Sequence, residues 1–504
     1  MADPPTPAST ASTSSTSSTA STSSTAATDP TVRADGLAVP GDAVPGDAPA
    51  VSASAAAPAG PVDETALAEV VRFTSELIRI DTTNRGGGEG HERPAAEYVA
   101  ERLAEVGLDP LLLEKSRGRS NVVARIEGAD PEAEALLVHG HLDVVPADPD
   151  EWRVHPFSGE VSDGVVWGRG AVDMKDADAM VLALVRAWAR AGVRPRRTVV
   201  LAFTADEEDT ASHGSGFLAD QHADLFDGCT QSIGESGAFT FHPGDGRRIY
   251  PLAAGERGTG WMTLTAKGRA GHGSKINAAN AVTRLTAAVT RIGEHRWPVR
   301  LTETVRAGLT ELAALYGVPL PDLADPDPER LAQSVDRLLE RLGPAAGLLA
   351  PTVRNSANPT MLDAGYKVNV IPGSATAHVD GRVLPGTERE FAATLDHLTG
   401  PDVEWDFLHH EIPLQAPVAS PTYAALRDAL LHFDPEAHVV PYCMSGGTDA
   451  KQFSRLGVEN YGFMPLRLPE GFDYQAMFHG VDERVPVSAL HFGVRVLDRA
   501  IRFL

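Results

Sequence analysis

The chain has 504 residues, more than a single hydrophobic core usually supports, so two domains are the starting expectation. Its 44 lysines and arginines face 68 aspartates and glutamates, a net charge of −24 that argues against nucleic acid or an anionic membrane as partner. Two cysteines, Cys229 and Cys443, are too few for a disulfide framework or a cysteine-built zinc site, which favours a reducing compartment.

Residues 1–61 are a different material, "STASTSSTSSTASTSSTAATDP" followed by Ala, Pro and Gly. With almost no large apolar side chain to offset the entropy of ordering, this tail is expected to be disordered. Its start, "MADPPTPAST", has neither the basic nor the apolar stretch of a signal peptide, and no run of about 18 apolar residues exists to span a membrane. A cytoplasmic protein is expected.

Order begins at "VDETALAEVVRFTSELIRI", where Leu67, Val70, Val71, Leu77 and Ile78 keep helical spacing behind Asp63 as N-cap. After the turn "NRGGGEGHERP", "AAEYVAERLAEVG" reads as a second helix ending at Gly107. The runs "PLLLE", "NVVARIEG", "EALLVHG", "GVVWGRG" and "RTVVLAFTADEED" read as strands, with the helix "AMVLALVRAWARAG" among them. Strands alternating with helices imply an α/β sheet that is at least partly parallel.

Past Gly255 the texture changes. "GWMTLTAKGRAG" alternates as a strand, "NAANAVTRLTAAVTRIGEH" is helical, residues 301–349 form a long helical insertion, and "YKVNVIPGSATAHVDGRVLPG" reads as strands around a Pro-Gly turn. Helix–strand alternation then returns and ends in "SALHFGVRVLDRAIRFL". The simplest partition is an α/β domain, 62–255 and 411–504, interrupted by an inserted α+β domain, 256–410.

In open α/β sheets, ligands and catalytic groups gather at the carboxyl ends of strands. Here strand-like runs end in His139, His141 and Asp143, in Asp173, in Asp206, Glu207 and Glu208, and in Glu235; a late loop adds His479. Singly each has a plain structural explanation: a solvated histidine, an acidic turn, or, for Asp173, a helix N-cap. Together, at equivalent ends of one sheet, they read as a metal site. Two histidines with several carboxylates suit Zn²⁺, Mn²⁺ or Co²⁺ better than Mg²⁺ and are enough for two bridged ions. Such a pair polarises a carbonyl and activates water, with a spare carboxylate as general base.

These segments resemble the M20 family of metallopeptidases, which groups carboxypeptidases, dipeptidases, aminoacylases and related amidohydrolases. The motifs are "IDTTN", "HGHLDVVP", "GRGAVDMKD", "TADEED", "GES", "GHGS", "NVIPGSATAHVDGR", "GGTDA" and "FHGVDER". The resemblance implies a mixed-sheet di-metal exopeptidase-type catalytic domain interrupted by a lid/dimerisation domain. It implies two divalent ions, zinc first and cobalt or manganese next. His141 and Glu235 would hold the first ion, Glu208 and His479 the second, with Asp173 bridging and Glu207 as general base. Asp143 would accept a hydrogen bond from the far nitrogen of His141. His272 would stabilise the oxyanion, often across a homodimer. Asn369 and Arg382 would hold the substrate, Arg382 through its carboxylate, and Gly446, Gly447 and Thr448 would line the pocket.

The expected activity is hydrolysis of a peptide or N-acyl amide bond next to a free carboxylate. The alternative is a catalytically silent binding protein on the same fold, which loss of Glu207 or of a ligand would signal; all are present. A serine hydrolase is disfavoured because no G-x-S-x-G occurs, and no H-E-x-x-H occurs either. Asp176 stands where relatives commonly carry glycine and is expected to be exposed at the helix start. His139, His213, His242 and His410 match no ligand position and are read as structural.

Overall fold

The structure, a computed structural model, describes residues 60–504. The tail lies outside the described residues apart from its last two positions. The helix start read at Asp63 is present: its side chain accepts a hydrogen bond from Ala66 N at 2.9 Å. The helix Glu64–Ile78 then buries Leu67, Val70, Phe73, Leu77 and Ile78 along one stripe.

A nine-stranded mixed sheet forms the main layer. In spatial order it runs Leu111–Ser116, Arg119–Ile126, Val199–Thr204, Ala135–His141, Cys229–Gly234, Glu459–Gly462 and Ile249–Glu256, with Leu414–Gln415 and His438–Met444 both paired to Ile249–Glu256. Val199–Thr204 and Ala135–His141 are buried at every residue, which is why they read as unbroken apolar runs rather than alternating ones. Ala135–His141 runs parallel to both its neighbours, pairing His141 with Thr204 and Val138 with Ile233, so three carboxyl ends open side by side. Helices Glu64–Ile78, Lys175–Ala191 and Val487–Phe503 cover one face, while Phe217, Leu218 and Phe453 pack on the other.

Two expectations need correction. The run "GVVWGRG" does not enter the main sheet: Val165–Trp167 pairs with Glu160–Ser162 and Arg484–Pro486 in a separate three-stranded sheet. Gly168, at φ +146°, and Gly170, at φ +88°, turn the chain away, so Asp173 stands in the turn before a helix, not at the end of a main-sheet strand. Asp176 is buried, not exposed, because the helix Lys175–Ala191 is enclosed through its first turn. Burial first, then the charges of Glu483, Asp178 and Asp173, push its carboxyl well above the usual range.

Between the two parts of the large sheet the chain builds a four-stranded antiparallel sheet, ordered Ser356–Ala364, Ser374–Val383, Gly258–Lys267, Val403–His410. Helices Ala281–Glu294 and Glu388–Thr399 bury Leu285, Ile292, Phe391 and Leu395 against Met262, Leu264 and Val379 of that sheet. The helical insertion packs elsewhere. Val305, Leu309, Leu312, Val335 and Leu338 cluster with Ile249, Val440 and Cys443 of the large sheet. No helix among the described residues is long and apolar enough to cross a membrane.

Candidate metal centre

His141 is the last residue of its strand, and Glu235 directly follows the strand Cys229–Gly234. Glu207 and Glu208 stand on the turn after Val199–Thr204, where Asp206 adopts φ +68°, a left-handed conformation that aspartate tolerates better than most residues. Asp173 precedes the helix Lys175–Ala191, and His479 follows the short turn Gln475–Met477.

His141 Nε2 lies 3.2 Å from Asp173 Oδ1 and 3.4 Å from Glu235 Oε2. His479 Nε2 lies 3.5 Å from Asp173 Oδ2 and 3.1 Å from Glu208 Oε2. Glu207 Oε2 is farther from His141 Nε2, at 3.9 Å. The two oxygens of Asp173 therefore face different histidines.

These distances fit ligation. Tetrahedral zinc with bonds of about 2.0–2.1 Å sets its ligand atoms about 3.3 Å apart, and the four separations bracket that value. His141 Nδ1 lies 3.0 Å from the Asp143 carbonyl and donates to it, which turns the Nε2 lone pair toward the carboxylates and calls for a cation between them. Glu208 Oε1 is buried without any hydrogen-bond partner, a need that a cation would meet. Imidazole plus carboxylate suits zinc, cobalt or manganese better than magnesium.

The protonation equilibria express the same demand for positive charge. Burial opposes the imidazolium of His141, but Asp173 and Glu235 outweigh it and hold its pKa well above the usual value. Asp173 and Glu208 raise His479 to about 10. Burial, then the Glu235 charge, pushes Glu207 well up; burial and Asp173 take Glu208 to about 7, and burial takes Glu235 to about 7. Only Asp173 goes down: burial opposes it, yet both histidines hold it below the carboxylate range. Groups that hold protons this tightly compete for divalent ions with the same lone pairs.

Asp143 departs from expectation. His141 Nδ1 is 3.6 Å from Asp143 Oδ1, too long for a hydrogen bond, and the ring donates to the backbone carbonyl instead. The carboxylate accepts from the backbone N–H groups of Glu207 and Glu208, at 3.2 and 3.1 Å. Its side chain thus anchors the glutamate turn. His139 stays apart: its Nε2 is 3.1 Å from Asn460 Oδ1, its ring packs on Phe453, and burial drops its pKa to about 4.

The cleft above these groups holds about 420 Å³ and includes Arg382, Gly446 and Gly447 in its lining. Arg382 is already engaged, with Nε 2.8 Å and Nη2 3.2 Å from the two oxygens of Asp380 and Nη1 3.4 Å from Thr259 Oγ1. Thr448 stands behind the wall and donates its hydroxyl to Glu256 at 2.9 Å. His272 and Asn369 do not line the cleft. His272 lies in the ribbon Gly271–His272/Val370–Ile371 and Asn369 directly precedes its second strand; Gly273 N donates to the Asn369 carbonyl at 2.9 Å, and both side chains are outside the core.

Several contributors escaped the sequence reading. Phe239, Trp261, Tyr442, Met444 and Phe478 give the cleft an apolar wall. Glu483, fully buried, accepts from the backbone N–H groups of Gly170, Val172 and Asp173 and from Arg169, fixing the turn that presents Asp173. Its position four residues after His479 was the available signal.

Architecture and donor set together define the class, a metal-dependent peptidase or amidohydrolase. The chain belongs to peptidase family M20/M25/M40, whose sequence model matches residues 137–502. It is 29% identical over 394 residues to the human N-fatty-acyl-amino acid synthase/hydrolase PM20D1, covering 75% of each chain. Its fold resembles an M20 family metallo-carboxypeptidase from Sulfolobus solfataricus, with TM-score 0.64 and 19% identity over 86% of this chain and 98% of that one. It also resembles a dinuclear metal binding peptidase of the M20 family from Bacillus subtilis, with TM-score 0.55 and 13% identity over 88% and 99% of the two chains.

Proposed function

We propose that the protein hydrolyses N-acyl amino acids that carry an apolar acyl group and a free carboxylate, using two divalent ions, zinc in the first instance. The single observation that carries the two-ion reading is Asp173, whose two oxygens face His141 and His479 separately. His141 and Glu235 would hold one ion and Glu208 and His479 the other. Such ions supply Lewis acidity, polarising the scissile carbonyl and easing deprotonation of water.

The chain's own residues do the rest. Glu207, beside this set but farther from the histidines, accepts the proton of the attacking water and returns it to the leaving amine. The wall of Phe239, Trp261, Tyr442, Met444 and Phe478 takes the acyl chain and excludes water. Arg382 meets the carboxylate through its Nη1 edge, oriented by Asp380. Gly446 and Gly447 let the substrate backbone approach closely.

A homodimer is part of this reading. His272 and Asn369 lie away from the cleft of their own chain, and around them Ile276, Tyr366, Val368, Met361 and Leu362 are exposed. Burying that surface against a second copy supports delivery of His272 to the neighbour's cleft. Mixing His272→Ala with Glu207→Gln protein should restore activity in hybrids, and no recovery would refute sharing.

The deciding experiment is a hydrolysis screen of N-acyl amino acids against dipeptides with metal-reconstituted protein. Faster turnover of acyl substrates is expected. A preference for dipeptides would reject the acyl assignment, and binding without turnover would favour the silent binding protein.

A further inference from the structure

We infer that Asn84 and the buried pair Arg119–Glu92 are positioning residues for Glu207 and Glu208, acting through Asp143 and Asp206; this rests on the two-ion reading above.

The turn that carries a general base and an ion ligand lies beyond its strand, so no sheet ladder fixes it. Two carboxylates do so instead. Asp143 holds the backbone N–H groups of Glu207 and Glu208. Asp206, inside the turn, accepts from Thr210 Oγ1, Ser212 Oγ and His213 N, at 3.2, 3.2 and 3.1 Å. Both are 0% exposed, so each ionised oxygen needs a donor.

Asn84 supplies one donor to each. Its Nδ2 lies 2.9 Å from Asp143 Oδ2 and 3.2 Å from Asp206 Oδ1, using both amide hydrogens. Its Oδ1 accepts from Gly86 N at 3.0 Å, which sets the amide the right way round. Remove that amide and two buried carboxylate oxygens lose their shared donor.

Arg119 completes the strut. Its Nη2 is 2.8 Å from Asp206 Oδ1, while Nε and Nη2 each reach Glu92 at 2.7 Å. Arg119 is 1% exposed and Glu92 0%, so the pair has no solvent substitute. The chain wraps the guanidinium closely: a Cβ on Gly90 would stand 2.7 Å from Arg119 Cζ. Lysine cannot reproduce the two-partner fork. Asn84, Glu92 and Arg119 do not line the cleft, so their influence runs through the turn.

The test titrates metal-free full-length protein with Co²⁺ by calorimetry, alongside kcat and KM at saturating cobalt. Asn84→Ala and Arg119→Lys should each weaken one of two cobalt sites by about 10- to 100-fold. They should also lower kcat at least about tenfold while KM stays within about threefold. Asp434→Asn, which breaks the Arg248–Asp434 pair away from the cleft, is the control and should lower Tm while leaving both sites and kcat unchanged. Variants that lose only Tm, or titrate and turn over as wild type, would overturn the inference. If one variant fails to fold, the other decides. Wild-type protein binding fewer than two cobalt ions would reject the two-ion reading instead, and the kcat–KM split in Asn84→Ala would still judge the positioning of Glu207.

Discussion

Replacing Glu207 by glutamine removes one titratable oxygen and almost no volume. The amide keeps the side-chain packing, so no cavity term arises. The turn also survives, because Asp143 grips the backbone N–H of Glu207 and Glu208, not their side chains. The proposed ligands His141, Asp173, Glu208, Glu235 and His479 are untouched, so metal content should stay near two ions per chain. What is lost is the proton acceptor, worth about 10²- to 10⁴-fold in rate, or about 3 to 5 kcal/mol of barrier. Stopped hydrolysis assays at saturating substrate, paired with elemental analysis of the same samples, measure both quantities. Burial and Glu235 hold Glu207 in its protonated form more firmly than an ordinary glutamate, so Glu207→Gln should not lower the Tm of metal-free protein near pH 7. Turnover within about threefold of wild type at full metal content would refute Glu207 as the base.

Chelation should abolish hydrolysis and added zinc, cobalt or manganese should restore it; full activity in protein shown to be metal-free would sink the mechanism. Arg382→Ala should raise KM most for substrates with a free α-carboxylate, and an equal loss on amidated analogues would count against carboxylate recognition. Burial, opposed by Lys451 and Thr448, raises Glu256 from 4.5 to about 7, which corresponds to about 3 kcal/mol. The sign follows from the raised value: this stability is present below about pH 4.5 and is lost as pH rises through 7. Tm should therefore fall more between pH 5 and 8 in wild type than in Glu256→Gln; parallel slopes would contradict the assignment.

Local patterns were the legible part. The apolar runs Val199–Thr204 and Ala135–His141 announce buried parallel strands, and Asp63 caps its helix as read. The expected mixed α/β sheet is present, and the inserted α+β part is built on a four-stranded antiparallel sheet. Three candidate ligands, His141, Glu208 and Glu235, converge because parallel strand ends are forced together by topology, whereas Asp173 and His479 reach them from turns outside the main sheet. What failed depends on partners distant in sequence. Asp176 looked exposed because an acidic helix start usually is, and nothing local reveals the distant groups beside it, Glu483 among them. Asp143 looked like a partner for the His141 ring, but the competing donors, Glu207 N and Glu208 N, arrive from another strand. Glu92 and Arg119 carry no motif of their own, and Asn84, although it closes "IDTTN", gave no hint of its partners, since these roles exist only where loop, strand and turn meet.

The order in which the candidate metal-centre residues occur along the chain has a consequence for biosynthesis. His141, Asp173, Glu208 and Glu235 all precede the four-stranded sheet, whereas His479 comes after it. During translation the early residues emerge first, and His479 follows only after the four-stranded sheet has been made. Glu459–Gly462 reaches its place beside Cys229–Gly234 equally late. A nascent chain short of His479 therefore carries four of the five proposed ligands and lacks the partner that faces Asp173 Oδ2 and Glu208. On the two-ion reading, hydrolysis waits for that later segment, which would keep a nascent chain inert toward amide bonds until His479 has joined.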